Sequence, residues 1–300
     1  MSRGNPNAQP RAGGANNLLL RVVSAAVLAP LAIGAAAIGG WVFAIACALA
    51  AAIILCEWTL LVGGSADAKL LVPGFFALAA ALVSSGLGQP GAAAGAIVIG
   101  AALAGLAVGG AGGLFTARLG AADSGRAASA GAWAAAGVLY AGIGLLAPVL
   151  LRRDGEWGFT AVLFLAATVW PTDIFAYFVG RAVGGPLLWP RLSPRKTWAG
   201  AIGGLAGGVA AGSLLAYASG VGSPAVGIIA ALLSILAQLG DLFESAVKRR
   251  FGAKDTGALI PGHGGMMDRL DGFLFAALAA AVIGILRHGT DAPAQGLLLW

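Results

Sequence analysis

The sequence predicts an all-α, polytopic membrane protein with about nine transmembrane helices, because of its composition and the length of its apolar runs. Hydrophobic residues make up 59% of the 300-residue chain and charged residues 10%, whereas soluble domains carry about 25% charged residues. The apolar runs are about 20 residues long, the length that a helix needs to cross a bilayer. They show no alternation of the kind that a transmembrane β-barrel requires, and the 49 glycines favour close packing of helices in lipid.

Nine apolar runs are long enough to span the membrane, and a polar segment rich in glycine and asparagine precedes them. The runs lie at residues 20–38, 41–61, 69–87, 92–112, 131–150, 158–179, 198–219, 224–241 and 272–287. The composition of residues 1–17 predicts a disordered cytoplasmic tail. The remainder, 18–300, is predicted to form one integral membrane domain, with its catalytic part at about 158–287.

The basic residues predict which side of the membrane each connection faces. If the N-terminus is cytoplasmic, only Arg152, Arg153 and Arg287 of the 18 Lys and Arg residues fall on the outer side. Cytoplasmic connections carry an excess of Lys and Arg, so we expect the polar stretch at 241–271 to face the cytoplasm. The net charge of +6 then follows from topology, and we expect no nucleic-acid partner.

The polar stretch at 241–271 stands between two apolar runs and concentrates the charge of the chain. It holds five of the 12 acidic and five of the 18 basic residues, and charge is costly next to lipid. If the preceding apolar run continues as a helix through Arg249, four polar residues share one face at spacings i, i+3, i+4 and i+7. These residues are Asp241, Glu244, Ser245 and Lys248.

The second half of this stretch repeats the acidic pattern after a glycine segment. Asp268 and Asp271 form another i, i+3 carboxylate pair where the last apolar run begins. The GHGG segment before them can bring backbone N–H groups close to a ligand. Two carboxylate pairs, basic side chains and a glycine loop are typical of a divalent metal that holds a polyphosphate.

Two further carboxylates lie inside apolar runs. Asp173 belongs to the run at 158–179, where a charge costs a few kcal/mol. We therefore expect it to face a polar cavity, a metal or a cation, and a structural ion pair is the alternative. Glu57 is the only acidic residue within the first four runs, and the sequence leaves open whether its role is local or functional.

The connection between the sixth and seventh runs is the other candidate for phosphate binding. Its hydrogen-bond donors and positive charges are Ser193, Arg195, Lys196 and Thr197. Such groups suit phosphate oxygens, although an anchor for lipid head groups beside Trp189 and Trp198 is the alternative. Because we expect this connection to face the same side as residues 241–271, the two can form one polar pocket at the membrane surface.

Residues 245–271 resemble, at every defined position, the signature of the phosphatidate cytidylyltransferase (CDP-diacylglycerol synthase) family. The matching residues are Ser245, Val247, Lys248, Arg249, Lys254, Asp255, Gly257, Ile260, Pro261, His263, Gly264, Gly265, Met266, Asp268, Arg269, Leu270 and Asp271. The segments that begin at Asp173 and Ser193 resemble two further motifs of the family. The N-terminal run LLLRVVSAAVLAPL and the Glu57-Trp58 pair also resemble family features, so the resemblance covers nearly the whole chain.

The chain departs from the pattern of the family at two positions in the second of these segments. Arg195 stands where a lysine is usual, which keeps the charge, and Ala199 stands where a glutamate is usual, which removes one. If that glutamate orients a basic neighbour in the family, this chain does without it.

The resemblance implies transfer of a cytidylyl group from CTP to phosphatidate, which yields CDP-diacylglycerol and pyrophosphate. It implies Mg²⁺ as the cofactor, with a second, monovalent cation proposed beside it, and a homodimer surrounded by membrane lipids. Such a nucleotidyltransferase serves phospholipid biosynthesis. The excess of alanine and glycine is typical of a GC-rich bacterial genome, so we expect a bacterial plasma membrane with the site open to cytoplasmic CTP.

The candidate residues divide into three expected roles. The catalytic set is Asp241, Lys248, Asp268 and Asp271. The expected metal ligands are Asp241 and Asp268, with Glu244, Asp271 and Asp173 as candidates for a second ion or for positions around it. The expected substrate-binding set is Ser193, Lys196, Thr197, Ser245, Arg249, His263 and Arg269. Because an attacking phosphate is already ionised near neutral pH, His263 is expected to fix the loop or contact phosphate rather than act as a base.

Three other functions fit the pattern less well. A CTP-dependent lipid kinase, which cleaves at the γ-phosphate, would use a related polar site, but the complete match at 245–271 argues against it. A CDP-alcohol phosphotransferase needs Asp-Gly-x-x-Ala-Arg followed by two spaced aspartates, and the residues after Asp271 do not provide this pattern. Secondary transporters often contain paired repeats with midplane charges in both halves, whereas the first half of this chain has almost none.

Overall fold

The chain folds into ten helices and one β-hairpin within the residues that the computed structural model describes, which are 14–110, 124–257 and 264–300. The helices are α1 (Gly14–Ile38), α2 (Gly40–Gly63), α3 (Ala68–Gly86), α4 (Pro90–Gly110), α5 (Ser124–Arg152), α6 (Gly158–Val183), α7 (Trp198–Ala218), α8 (Pro224–Arg250), α9 (Met267–His288) and α10 (Pro293–Leu298). The strands are β1 (Leu187–Trp189) and β2 (Ser193–Thr197).

The predicted polytopic helical fold is confirmed. The described part of each of the nine predicted apolar runs lies, to within one residue at its end, in one of the helices α1 to α9. Eight of these helices, α2 to α9, are long and apolar enough to cross a membrane within the part of the chain that the structure describes. The described apolar part of α1, Ala26–Ile38, is shorter. The chain is therefore a multi-pass membrane protein.

The polar stretch is more helical than the apolar runs alone suggested. α8 continues past the predicted end of its run at 241 to Arg250, and α9 begins at Met267 rather than at 272. The predicted continuation of the helix through Arg249 is confirmed. The charged residues therefore lie on rigid helix ends, with residues 251–266 as the connection between them.

The connection between α6 and α7 departs from the all-α prediction by forming a short antiparallel hairpin. Gly184 and Gly185 end α6 with φ values of 67° and 93°, a backbone conformation that favours glycine. Prolines follow at three positions, Pro186, Pro190 and Pro194, and proline cannot continue a helix. β1 then pairs with β2, and the hairpin stands at the end of the bundle where α8 carries its charges.

Small residues allow the helices of the second half to approach closely. An added Cβ on Gly204 of α7 would lie 2.7 Å from the carbonyl oxygen of Thr172 in α6. An added Cβ on Gly272 of α9 would likewise lie 2.8 Å from the carbonyl oxygen of Ala237 in α8. This second contact brings the start of α9, which carries Asp268 and Asp271, against the charged half of α8.

Candidate active site

Three carboxylates from two helices meet where α8 and α9 pack together. Asp241 and Glu244 are one turn apart on α8, and Asp271 projects from α9. One oxygen atom of each lies within 4.8 Å of an oxygen of the other two. The close approach of the helices at Gly272 explains why Asp271 reaches this group, which we call the carboxylate cluster.

The burial and bonding of Glu244 indicate that the carboxylate cluster fits a cation. Glu244 is 1% exposed, and its Oε2 accepts a hydrogen bond from Lys248 Nζ at 3.0 Å. Its Oε1 is buried and has no hydrogen-bond partner among the residues that the structure describes. A buried, unpaired carboxylate oxygen is costly, whereas hard divalent cations take oxygen ligands of this kind. The donor set therefore fits Mg²⁺.

Lys248 connects the carboxylate cluster to the neighbouring helix. Its Nζ lies 3.0 Å from Glu244 Oε2 and 2.7 Å from Asp268 Oδ1, and its side chain is 14% exposed. The predicted helical face that carries Glu244 and Lys248 together is thus confirmed. The ammonium neutralises two nearby carboxylates across the α8–α9 interface, so it has a structural partner on each helix.

Asp268 lies beside the carboxylate cluster rather than within it. Its Oδ2 accepts hydrogen bonds from the backbone N–H of Thr256 at 3.1 Å, from Thr256 Oγ1 at 2.9 Å and from the N–H of Gly265 at 3.0 Å. Its Oδ1 accepts a hydrogen bond from Lys248 Nζ at 2.7 Å. Asp268, which the sequence favoured as a metal ligand, therefore holds the connection before α9, and Asp271 occupies the place in the cluster.

A polar cavity of about 660 Å³ adjoins the carboxylate cluster on the side of the hairpin. Its walls come from α6, the hairpin, α7 and α8, and they include Asp173, Ser193, Lys196, Thr197, Gln238 and Asp241. Lys196 forms an ion pair with Asp241, so the basic hairpin and the acidic helix meet at this point. Asp241 thus belongs to both the cluster and the cavity wall.

The structure brings most of the remaining candidate residues to this region. The electrostatic neighbours of Asp173 include Lys196 and Arg269, and Thr197 Oγ1 caps α7 by accepting from the N–H of Gly200 at 3.0 Å. Arg249 donates from Nη1 to the carbonyl oxygen of Ala253 at 3.3 Å, where it closes the end of α8. Ser245 lies on α8 and is half-buried. His263 lies outside the described residues.

Glu57 is the residue of this region whose role the sequence did not reveal. It comes from α2, is 5% exposed, and accepts hydrogen bonds from the N–H groups of Met266 at 2.9 Å and Met267 at 2.8 Å. Thr256 Oγ1 lies 3.4 Å from its Oε2. Such bonds satisfy helix N-terminal donors that lack partners within the helix. The available signal was that Glu57 is the only acidic residue within the first four apolar runs.

Thr256 relates Glu57 to the carboxylates of the polar stretch. Its hydroxyl group stands between Glu57 Oε2 and Asp268 Oδ2, and Asp268 contacts Lys248, which contacts Glu244. These contacts extend from α2 to the carboxylate cluster through side chains that are buried or half-buried. The position of the connection before α9 therefore depends on both halves of the chain.

Comparisons with known proteins relate the chain to bacterial enzymes. A phosphatidate cytidylyltransferase of Brucella suis is 54% identical over 165 residues, which cover 54% of this chain and 60% of the relative. One of Bacillus subtilis is 39% identical over 127 residues, which cover 42% and 47%. One of Staphylococcus haemolyticus is 41% identical over 140 residues, which cover 46% and 53%.

The comparison with protein families covers more of the chain than these pairwise matches. The chain spans about half to three-fifths of the length of the curated relatives that it matches. The model of the cytidylyltransferase family, in contrast, matches residues 19–286. This range includes most of α1, all elements from α2 to α8, nearly all of α9 and the whole carboxylate cluster. The chain belongs to the cytidylyltransferase family.

Proposed function

We propose that the protein transfers the CMP group of CTP to phosphatidate, giving CDP-diacylglycerol and pyrophosphate. The observation that carries this proposal is the position of Asp241, which lies in the carboxylate cluster and in the wall of the polar cavity. A metal site and a phosphate-binding cavity that share a side chain suit a nucleotide whose phosphates must contact both. The names of the relatives, phosphatidate cytidylyltransferases, support the same reaction.

In this proposal Asp241, Glu244 and Asp271 hold Mg²⁺. When bound, the ion supplies positive charge that neutralises phosphate oxygens and stabilises a leaving pyrophosphate. Glu244 Oε1 supports the assignment, since it is a buried carboxylate oxygen without a hydrogen-bond partner among the described residues. We assign Asp268 to orienting Lys248 and the connection before α9, and Asp173 to the cavity wall, where a second, monovalent cation is the remaining expectation.

The basic hairpin binds the triphosphate of CTP in this proposal. Lys196 stands at the junction of the cavity and the carboxylate cluster through its contact with Asp241, so its ammonium can bind a phosphate oxygen next to the metal site. Ser193 and the hydroxyl hydrogen of Thr197 provide donors in the same wall, and hydrogen bonds to charged phosphate are stronger than neutral ones. Arg249 and Arg269 add positive charge at the helix ends.

The reaction needs charge neutralisation more than it needs proton transfer. An oxygen of the phosphatidate phosphate forms a bond to the α-phosphorus of CTP, and the bond from that phosphorus to the bridging oxygen breaks. Pyrophosphate leaves with the electron pair. A phosphate monoester is already largely ionised near neutral pH, so the basic side chains have the main task, which is to bring two anions together.

We further propose that the site faces the cytoplasm of a bacterial plasma membrane. The excess of Lys and Arg on one side of the bundle supports this orientation, and the relatives are bacterial.

A homodimer is the expectation from the family resemblance. Cross-linking of the full chain in native membranes, followed by denaturing electrophoresis, tests it, and a protein that stays monomeric at every cross-linker concentration would contradict it.

The deciding experiment measures turnover of the purified full chain in detergent with phosphatidate, CTP labelled in both cytidine and the γ-phosphate, and Mg²⁺. We expect a cytidine-labelled lipid and γ-labelled pyrophosphate, both lost when EDTA removes the metal. A γ-labelled lipid with released CDP would instead identify a lipid kinase. No turnover in a monodisperse, folded sample would overturn the proposal.

Two variants test the metal assignment in the same assay. Asp241→Asn should be inactive. Asp291→Asn, which removes an exposed carboxylate elsewhere, should be fully active.

A further inference from the structure

Arg152 ends α5 and Arg153 follows it, on the opposite side of the bundle from the carboxylate cluster. Arg152 donates from Nε to the carbonyl oxygen of Ala36, and from Nη2 to that of Ala37 at 3.1 Å. Arg153 donates from Nη2 to the carbonyl oxygen of Gly88 at 3.2 Å. Within the described residues, neither guanidinium forms an ion pair with a carboxylate. Two positive charges therefore stand side by side with only backbone carbonyls as hydrogen-bond partners in that part of the chain.

A cavity of about 220 Å³ opens beside these arginines. It lies between the start of α2, the end of α3 and the end of α5, and its walls include Trp41, Phe43, Ser85, Val149, Arg152 and Arg153. The cavity thus combines two guanidinium groups with an apolar wall and a partly exposed indole. It is a third as large as the cavity beside Asp241.

After the two guanidinium groups, the hydroxyl group of Ser85 is a second observation that indicates a ligand-binding cavity. Its Oγ is buried and has no hydrogen-bond partner among the described residues, although a helical serine can usually bond to a carbonyl oxygen one turn earlier. Buried polar atoms without a partner are uncommon and call for an explanation. Ser85 lines the same cavity as Arg153, so a ligand that accepts hydrogen bonds there would satisfy both.

This cavity and the candidate active site lie near opposite ends of α6. Gly158 begins α6 and lies against the carbonyl oxygen of Arg152, whereas Asp173 lines the cavity beside the carboxylate cluster. Fifteen helical residues between these two positions correspond to about 22 Å. One substrate molecule cannot contact both places through its phosphate, so the arginine cavity is a separate site.

We propose that this cavity binds the phosphate of an anionic phospholipid head group in the membrane leaflet opposite the active site. Guanidinium groups offer planar pairs of donors that match phosphate oxygens, and the Ser85 hydroxyl adds another donor. Trp41 lies at the start of α2, and tryptophans near the ends of transmembrane helices are typical of the head-group level. Phe43 and Val149 provide apolar contact for the glycerol end of the acyl chains, which free phosphate lacks.

The bound head group would connect turns that the arginines already hold together. Arg152 contacts the end of α1, and Arg153 contacts the turn between α3 and α4. A ligand that binds only the folded protein stabilises it in proportion to its occupancy. We therefore expect phosphatidylglycerol to raise the thermal unfolding temperature of the delipidated chain, and an equal amount of zwitterionic phosphatidylcholine to raise it less.

The site is tested with the full chain in nanodiscs that contain phosphatidylglycerol carrying a photoactivatable group on its glycerol head. We expect cross-links to concentrate on the peptides that contain Trp41 and Ser85, and unlabelled phosphatidylglycerol to remove them. Arg153→Gln and Ser85→Ala should each lower this labelling about tenfold, because a hydrogen bond to a charged group contributes at least that factor. Arg152 is left intact, since it also holds the end of α1.

Arg287→Gln is the matched control, because it removes one positive charge from a helix end on the same side of the bundle. It should leave the labelling of the Trp41 and Ser85 peptides unchanged. Equal labelling in Arg153→Gln, Ser85→Ala and the wild-type chain would overturn the proposal, as would cross-links spread evenly around the bundle. Removal of the cross-links by millimolar inorganic phosphate, with no effect of unlabelled lipid, would identify a site for free phosphate and contradict the lipid assignment.

Discussion

Glu57 accepts a hydrogen bond from the backbone N–H of Met267, 2.8 Å away, although the two residues lie in opposite halves of the chain. The same carboxylate accepts from the N–H of Met266 at 2.9 Å. α2 thereby fixes the start of α9, from which Asp268 and Asp271 project. The first half of the chain adds no residue to the carboxylate cluster, yet it determines where one of the three carboxylates stands.

Glu57→Gln is expected to lower kcat about tenfold while changing KM for CTP little. A glutamine side chain keeps one acceptor oxygen but loses the charge, and a buried donor left unsatisfied costs about 1–3 kcal/mol, of which about 1.4 kcal/mol corresponds to a tenfold change in rate. Initial rates at saturating and at limiting CTP separate the two constants. Because the cavity residues stay in place, substrate binding should suffer less than turnover.

Glu156→Gln serves as the control for this variant, since Glu156 is an exposed carboxylate. Both of its kinetic constants should equal those of the wild-type chain. Glu57→Asp should recover part of the lost kcat, because it restores the charge on a shorter side chain. A wild-type kcat in folded Glu57→Gln would show that the start of α9 does not need this carboxylate.

Asp271→Asn and Asp268→Asn are expected to differ in metal binding. Asp271 belongs to the carboxylate cluster, so its change should weaken Mn²⁺ binding, measured by electron paramagnetic resonance with Mn²⁺ in place of Mg²⁺, by about tenfold or more. Asp268 uses its oxygens for Lys248, Thr256 and Gly265. Its change should lower turnover while leaving the affinity for Mn²⁺ within about threefold of the wild-type value.

The reverse result would restore the assignment that the sequence favoured. If Asp268→Asn loses Mn²⁺ and Asp271→Asn keeps it, Asp268 is the ligand and the contacts described for it rearrange when metal binds. Asp291→Asn provides the control for carboxylate loss as such, because Asp291 is exposed.

The parts of the site that depend on local spacing could be predicted from the sequence. The helical period alone places Glu244 and Lys248 on one face of α8, and the structure confirms their contact. The apolar runs predicted the transmembrane helices for the same reason. The length and the periodicity of an apolar run can both be read from a short stretch of sequence, without knowledge of contacts between distant residues. The hairpin was not predicted, because Pro190 and Pro194 interrupt the segment and neither three-residue β1 nor five-residue β2 shows a clear alternation of apolar and polar residues.

The parts that depend on contacts between distant elements could not be predicted. Asp268 and Asp271 have the same spacing as Asp241 and Glu244, so periodicity cannot tell which of the first pair joins the carboxylate cluster. That choice depends on the close packing of α9 at Gly272 against Ala237. The contact of Glu57 with Met267 joins residues 210 positions apart, and no local pattern records such a pairing.

Lys248→Met is expected to destabilise the fold as well as abolish efficient turnover. The change leaves Glu244 and Asp268 without their shared cation, and removal of one member of a buried ion pair costs about 3–5 kcal/mol. Thermal unfolding in detergent should therefore begin several degrees lower than in the wild-type chain. Added Mg²⁺ should recover part of this loss, because a cation at the carboxylate cluster neutralises Glu244.

Arg250→Met is the control, since Arg250 is an exposed cation two residues further along the same helix. Its unfolding temperature should stay within about a degree of the wild-type value, as is usual for surface changes. An unchanged unfolding temperature in Lys248→Met would mean that the ammonium mainly serves substrate phosphate and contributes little to the packing of α8 on α9.

Gly272→Ala is expected to lower both metal affinity and turnover by moving α9 away from α8. The added Cβ would lie 2.8 Å from the carbonyl oxygen of Ala237, which is backbone and cannot turn aside as a side chain can. Relief requires a shift of the helix that carries Asp271, and a displacement of about 1 Å at a catalytic site can lower turnover about a hundredfold. Mn²⁺ affinity, turnover and thermal unfolding should be measured on the same preparation.

Gly95→Ala is the matched control, because Gly95 also lies inside a transmembrane helix and an added Cβ there meets no atom within 4 Å. It should keep wild-type activity and unfold at the same temperature or slightly higher, since alanine favours a helix by about 1 kcal/mol over glycine. If Gly272→Ala lowers stability but not Mn²⁺ affinity, the helices tolerate the shift without separating Asp271 from Asp241. The carboxylate cluster would then be held by the side chains around it rather than by the close approach of the two backbones.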